Sequence, residues 1–276
     1  MTNRFSRWFG KKQDDTPARD VAALAAPLAV PAVHVVKTGG PSRSHFGGSP
    51  GLPPEIAWPE HDGARLAFLA RLSLPDIHRA HPIEWLPRDG ALLFFYDIAN
   101  QPWGFDPKDR GGWAVLHVPD LADAASPPRI SLGLPQRNVV FRRIEVLPSF
   151  DREAVEQLTL SSKESDRYAD LSDAVFGDEP RHQIAGFPST IQDDGMELES
   201  QLASNGVYCG DEQFNSDSRV PSLTPGAVNW RLLLQFDSED DLDVMWGDAG
   251  LIYYWVEADA ARAGRFENAW LILQCH

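Results

Sequence analysis

A chain of 276 residues, 43% of them hydrophobic and 10% aromatic, can bury a full core without disulfides or metals, which excludes a disordered chain and a cysteine-stapled scaffold. The net charge of -15 excludes nucleic-acid binding through clustered Lys and Arg. Only Cys209 and Cys275 are present, and they read as reduced thiols of a cytoplasmic protein.

In chain order, residues 1–32 read as a flexible leader, basic at first and then Ala/Pro-rich in DVAALAAPLAVPAV. Phe5, Trp8 and Phe9 share helical spacing beside Arg4, Arg7, Lys11 and Lys12, a pattern that touches anionic membranes, but so short a helix is marginal in water. Polar residues follow the basic start where a signal peptide has an apolar core, and no apolar run reaches the roughly 18 residues of a membrane helix. No integral membrane association is expected.

From His34 the chain reads as strands and turns. In ARLAFLARLSL, Leu66, Phe68, Ala70, Leu72 and Leu74 alternate onto one face; LPRDGALLFFYD then predicts a turn and a nearly continuous apolar strand. GFDPKDRGGWAVLHV and RRIEVLPSF predict further strands. Helix is scarce. SDRYADLSDAVFG places Tyr168, Leu171, Val175 and Phe176 at helical spacing, with Ser165 to cap the start and Gly177 the end. Short helical turns are expected at PDIHRA and ADAARAG.

The pattern then recurs. GFPSTIQ echoes GGSPGLP, WRLLLQFDS echoes LAFLARLSL, and DAGLIYYWV echoes RDGALLFFYD. The expected fold is mainly β, a β-rich α+β arrangement of internally duplicated antiparallel sheets with a few short helices. One domain over 33–276 would hold two repeats, about 33–148 and 182–276, joined by a partly helical connector over 149–181. Gly48 to Leu66 spans 18 residues whereas Gly186 to Trp230 spans 44, so the second repeat carries an insertion. Charge is concentrated there: residues 193–248 hold 13 Asp and Glu against Arg219 and Arg231 alone. A partner of that region is expected to be a basic protein.

The acids closest together are Asp237, Glu239, Asp240, Asp241, Asp243 and Asp248 in WRLLLQFDSEDDLDVMWGDAGLIYYWV. Asp237, Glu239, Asp241, Asp243 and Asp248 occupy positions 1, 3, 5, 7 and 12 of a calcium-loop template. Against a metal stand Leu242 where that loop needs Gly, Asp248 where a bidentate Glu is usual, and flanking strands in place of helices. The simpler reading is a solvated connection. Trp230, Leu232, Leu234 and Phe236 would then share one face of a strand, with Gln235 and Asp237 on the other.

No GxSxG, P-loop, GxGxxG, CxxC or HExxH occurs, and no cofactor is expected. His78 and His81 have no further ligands nearby in sequence, and Ser42, Ser44 and His45 in GGPSRSHFGG lack a following helix that would favour a phosphate. Trp58, Trp246 and Trp255 could line a cleft if the repeats face each other. The expected binding set is therefore Trp58, Gln235, Asp237, Trp246, Asp248 and Trp255.

GGSPGLPPEIAWP, LAFLARLSL, LPRDGALLFFYD, AGFPSTIQDD, WRLLLQFDS and WGDAGLIYYWV together resemble the YwqG-like family, a bacterial group classed as a domain of unknown function. The likeness runs from about Gly39 to Gln274 and implies a mainly β, duplicated fold; it implies no reaction and no cofactor. One departure stands out. Where FLAQIDL is expected, this chain has Arg71 and Ser73, while the second copy keeps Gln235 and Asp237.

Three functions are compatible with these residues. The leading one is a non-enzymatic binding module with an acidic face, which resembles that of immunity proteins or inhibitors that neutralise basic toxins. A hydrolase would use carboxylates such as Asp237 and Asp248 in a cleft between repeats. An ion-binding protein would hold Ca2+ on the Asp237–Asp248 loop. The oligomeric state is left open.

Overall fold

The computed structural model describes residues 19–118 and 134–276; the aromatic and basic residues of the leader from Arg4 to Lys12 lie outside the described residues. Among the described residues the strands are β1 Val30–Lys37, β2 Ser44–Phe46, β3 Glu60–His61, β4 Ala64–Arg65, β5 Ala67–Ser73, β6 Ala91–Tyr96, β7 Trp113–Val118, β8 Arg137–Val146, β9 Gln183–Ile184, β10 Trp230–Asp237, β11 Leu251–Glu257 and β12 Trp270–Gln274. The helices are α1 Val21–Ala25, α2 Leu74–Ala80, α3 Glu153–Glu156, α4 Ser162–Ala174, α5 Met196–Ser204, α6 Val220–Leu223 and α7 Ala258–Arg262. None of them is long and apolar enough to cross a membrane.

The fold is mainly β. Strands β3 and β4 form a small hairpin, and the other ten make one antiparallel sheet in the order β12-β11-β10-β9-β1-β8-β2-β5-β6-β7. Reading outward from the central β1–β8 pair, a short strand is followed by a three-strand meander on either side. The sheet curls until its ends meet, giving a near-barrel: Trp113 on β7 donates its indole N–H to Ala269 O at 2.9 Å and its ring lies 4.9 Å from that of Trp270 on β12. Leu273 N also donates to Trp103 O at 3.0 Å, so the segment after β6 closes the gap between the outer strands.

The concave face forms the main core. Phe94 and Tyr254 pack 5.1 Å apart across it, Phe46 and Phe236 4.8 Å, and Tyr254 donates its hydroxyl to Phe95 O at 2.9 Å. The convex face is covered too. Leu52, Ile56 and Trp58 pack over Leu66, Phe68, Leu93 and Phe95, while α5 lies over β10 and β12. Burial on both faces explains why β6 and β11 are continuous apolar runs, every residue of β6 being buried.

Strict alternation along β10 and β5 fails for a local reason. The pairing of β10 with β11 shifts between Leu232 and Leu234, and that of β5 with β6 between Phe68 and Ala70, so Leu233 and Leu69 are extra residues of β-bulges. Beyond a bulge the side chains change face. Leu232 is paired with Trp255 and Gln235 with Tyr253 on the convex face, whereas Leu234 and Phe236 oppose Tyr254 and Ile252 on the concave one. The expected single apolar face of Trp230, Leu232, Leu234 and Phe236 is thus corrected, and so is that of Leu66, Phe68, Ala70 and Leu72.

The helices follow local chemistry. α4 begins after Ser161, four residues ahead of the expected cap at Ser165, because Ser161 and Glu164 form a reciprocal capping box and Arg19 pairs with Glu164 at 2.8 Å. Part of the expected leader belongs to the fold: Val21 and Ala25 of α1 are buried against Val155 and Tyr168, and β1 starts at Val30. The helix α5 has no apolar periodicity to announce it, since Ser200 and Gln201 are among its buried residues.

Candidate functional site

The side chain of Gln235 answers what the polar face of β10 meets. Its Oε1 accepts from Ser189 N at 2.7 Å and its Nε2 donates to Arg181 O at 2.6 Å. On β11, Tyr253 donates its hydroxyl to Ser189 O at 2.6 Å; on β12, Gln274 accepts from Ile191 N and Gln192 N at 3.0 and 3.2 Å and donates to Asp193 O at 2.9 Å. Three adjacent strands therefore hold the 186–193 segment by its backbone. That segment would otherwise have several unpaired groups against an apolar sheet.

This anchoring brings Asp194 and Glu197 to the rim of a cleft of about 550 Å3, with Trp230, Leu232, Trp255 and Phe187 among its lining residues. Arg152 ties the rim together: it bonds both carboxylate oxygens of Asp194 and Glu197 Oε1 at 2.7 Å, and its guanidinium lies 4.9 Å from the Phe187 ring. The indole N–H of Trp230 is taken by Gln201 at 2.7 Å, whereas that of Trp255 has no partner among the described residues. Glu199, two residues past Glu197, has no partner for Oε2 among the described residues, and burial, with Asp193 and Glu197 nearby, pushes its carboxyl up to about 8.

A second polar group sits where β10 runs into its connection to β11. His182 is 1% exposed, wedged between the rings of Phe46 and Phe236. Its Nδ1 accepts from Asp237 N at 3.1 Å, which leaves Nε2–H to donate to Glu239 Oε2 at 2.9 Å. Burial lowers His182 to about 3, with His34 and Lys37 acting in the same direction, and the amide donated to Nδ1 requires the neutral ring. Glu239 also contacts Lys37, which holds Asp241 at 2.6 Å as well. Asp237 accepts from Arg181 N at 2.9 Å, and its carboxyl is raised by burial against the opposing pull of that bond.

The expected acidic loop is partly core. Glu239, Leu242, Val244 and Trp246 are buried, while Asp240, Asp241, Asp243 and Asp248 are exposed. Among the described residues no three His, Cys, Asp or Glu side chains come together in a way that could hold a metal ion. Asp237, Glu239 and Asp241 point instead to the Arg181 amide, His182 and Lys37. The loop is tied down by hydrogen bonds: Gln101 donates to Met245 O at 3.0 Å and accepts from Gly247 N at 2.9 Å, and Ser238 accepts from Trp246 N at 2.9 Å while donating to Gly250 O at 2.7 Å. Met245 projects from it, 51% exposed.

The three tryptophans expected to share a cleft are separated. Trp58 lies on the convex face over Phe95 at 5.6 Å, Trp246 lies in the concave core beside Tyr96 and Phe236, and Trp255 lines the Asp194–Glu197 cleft. Lys37, Arg152, His182, Asp194 and Glu197 were not singled out in the sequence. Lys37 and Glu239 are 202 residues apart, and no local pattern marks such a pair.

Comparison with known proteins adds one result. No curated protein matches the chain. A family model described as a domain of unknown function, DUF1963, matches residues 44–275, from the start of β2 to just past the end of β12. The match takes in both meanders, the bulged strands and the acidic loop, and the chain belongs to the DUF1963 family.

Proposed function

We propose that the protein is a non-enzymatic binding module that engages a basic protein partner through its acidic face. The observation carrying this reading is a set of exposed carboxylates, Asp193, Asp211, Glu212, Asp240, Asp243 and Asp248, none of which has a cation within ion-pair distance among the described residues. Three of them stand on the loop that Gln101 and Ser238 hold in place, beside the exposed Met245. Charge of one sign steers an oppositely charged partner, and a loop tied down by hydrogen bonds loses little conformational freedom on binding. Met245 adds the apolar contact found at interface centres. An inhibitor or immunity protein acting on a basic toxin fits this chemistry.

The same proposal includes an origin by internal duplication. Its support is the strand order, equivalent on the two sides of the β1–β8 pair, the bulges at Leu69 and Leu233, and the bonds Leu74 N to Gly90 O and Ser238 N to Gly250 O. In that arrangement β1 sits on the side of the second meander, so the second repeat would borrow its last strand from the N-terminal region. The six sequence blocks that resemble the YwqG-like family fall largely within the DUF1963 match, and we take the two as one family in a bacterial, cytoplasmic setting.

The test is capture from a host extract at low and moderate salt by the wild type and by the triple variant Asp240→Asn, Asp243→Asn, Asp248→Asn. The reading requires a basic protein that the wild type retains and the triple variant loses, with both forms melting alike. Equal capture by the two forms would overturn it.

A further inference from the structure

Strand β8 is ten residues long, and its two sides are not equally partnered. β1 pairs with it from Val139 to Val146, whereas on the other side β2 reaches only Arg137 to Val139. Which backbone groups this leaves follows from the alternation of an antiparallel ladder. Thr38 N donates to Asn138 O at 2.8 Å, so Asn138 faces β1, and Val140, Arg142 and Ile144 face it too. Val35 N donates to His182 O at 2.9 Å, away from β8, which agrees with that phase because Val35 stands opposite Phe141. Phe141, Arg143 and Glu145 therefore turn their N–H and C=O toward the side that β2 does not reach. None of those groups has a hydrogen-bond partner among the described residues. A stretch of strand edge thus lies within the ten-stranded sheet.

Beside it is a cleft of about 710 Å3, walled by β8 from Val139 to Phe141, by α2 at Arg79 and Ala80, and by Arg43 just ahead of β2. Val140 is 37% exposed and Phe141 half-buried, which makes the strand wall apolar. The rim is basic. The exposed side chain of Arg43 has no ion pair or hydrogen bond among the described residues, and Arg79 is held by Asp76 of its own helix at 2.6 Å. Arg142 and Arg143 follow on β8, the second of them paired with Glu145. Four arginines against two carboxylates reverse the sign of a chain whose net charge is -15.

We propose that this edge docks an extended acidic peptide segment of a partner protein, which adds a short strand beside β8, bonds the backbone of Phe141 and Arg143, and sets its carboxylates against Arg43 and Arg79. Strand addition draws affinity from main-chain hydrogen bonds and specificity from alternate side chains. The edge offers N–H and C=O groups in turn, which another peptide backbone matches and a phosphate chain, having no N–H, does not. Arginine supplies the charge-assisted bonds that select carboxylates. The site is opposite in sign to the acidic face and uses other residues.

The probe is a fluorescent hexapeptide of alternating Glu and Val, compared with a Lys/Val counterpart and with two forms N-methylated at odd or at even amides. Anisotropy at physiological salt should show saturable binding of the Glu/Val peptide, with the Lys/Val peptide and one of the two methylated forms weaker by about tenfold or more. Arg43→Gln combined with Arg79→Gln should weaken it by a similar factor and melt as wild type, since both side chains are exposed. Hydrogen exchange reads the edge itself. The amides of Phe141 and Arg143 should exchange readily without peptide and slow by about tenfold with it, while those of Val140 and Arg142, turned toward β1, stay unchanged. The triple variant of the acidic loop should bind the peptide as wild type does, so this reading and that of the acidic face fail separately. Slow exchange at Phe141 and Arg143 without peptide would show a closed edge and overturn the proposal, as would absence of saturable binding or equal binding of the Glu/Val and Lys/Val peptides. Equal binding of the parent and both methylated forms would overturn the strand addition. Self-association of wild type that the double variant loses would overturn the choice of occupant in favour of a second copy.

Discussion

Gln235 and Arg71 each stand two residues beyond a β-bulge and each bonds the loop that crosses in front of its strand, yet among the described residues Gln235 is satisfied at both ends of its amide and Arg71 at one nitrogen only. Gln235→Ala removes the partners of Ser189 N and Arg181 O. A loss of about 2 kcal/mol in denaturant unfolding is expected, together with faster amide exchange at Ser189. Unchanged exchange there would show that Tyr253 and Gln274 suffice to hold the segment.

His182 and Glu239 form the buried end of a hydrogen-bonded chain that begins at Lys37. Glu239→Ala strands both neighbours and should cost about 3 kcal/mol. The histidine also sets a pH response. Its folded pKa, about 3, lies below its ordinary value of 6.5, so the unfolded chain binds the extra proton. Its contribution is complete above 6.5 and is lost progressively as the pH falls toward 3. Urea midpoints measured from pH 7 to pH 5 should fall more steeply for wild type than for His182→Gln.

Glu199 acts in the opposite sense. With its carboxyl raised to about 8 from 4.5, the folded state holds a proton that the unfolded state releases, and stability declines as the pH rises from 4.5 through 8. Glu199→Gln should therefore be close to wild type near pH 5 and exceed it by roughly 4 kcal/mol at pH 8.5. Parallel stability curves for the two proteins would rule out a protonated Glu199.

Gly104 carries the closure of the near-barrel. Its φ is +85°, and a Cβ there would stand 1.7 Å from Leu271 O on β12. Gly104→Ala must move backbone against backbone, and a destabilisation of about 3 kcal/mol or more is expected by thermal melting. Gly63→Ala is the control, since φ is also positive there but no atom lies within 4 Å of the added carbon.

Where sequence reading succeeded, the reason is short range. The runs GALLFFYD and GLIYYWV are apolar at successive positions because both faces of β6 and β11 are covered, and their strand character is legible without any tertiary information. Where it failed, the reason is equally physical. A bulge adds one residue without changing composition, so the face exchange at Leu69 and Leu233 is invisible until the partner strand is known. The acidic loop misleads in another way, because Glu239 has the same letter whether solvated or buried against His182.

The sequence alone therefore determined the β-rich class, the positions of the long strands and the location of the excess negative charge. All of these are properties of neighbouring residues or of simple sums. Only the tertiary structure decided which carboxylates lack a cation among the described residues, that the three tryptophans part company, and that Arg71 lies buried against the Pro50 carbonyl. Each depends on chain segments that meet across tens to hundreds of residues, and the strength of a charge in a protein is set by what folding brings next to it.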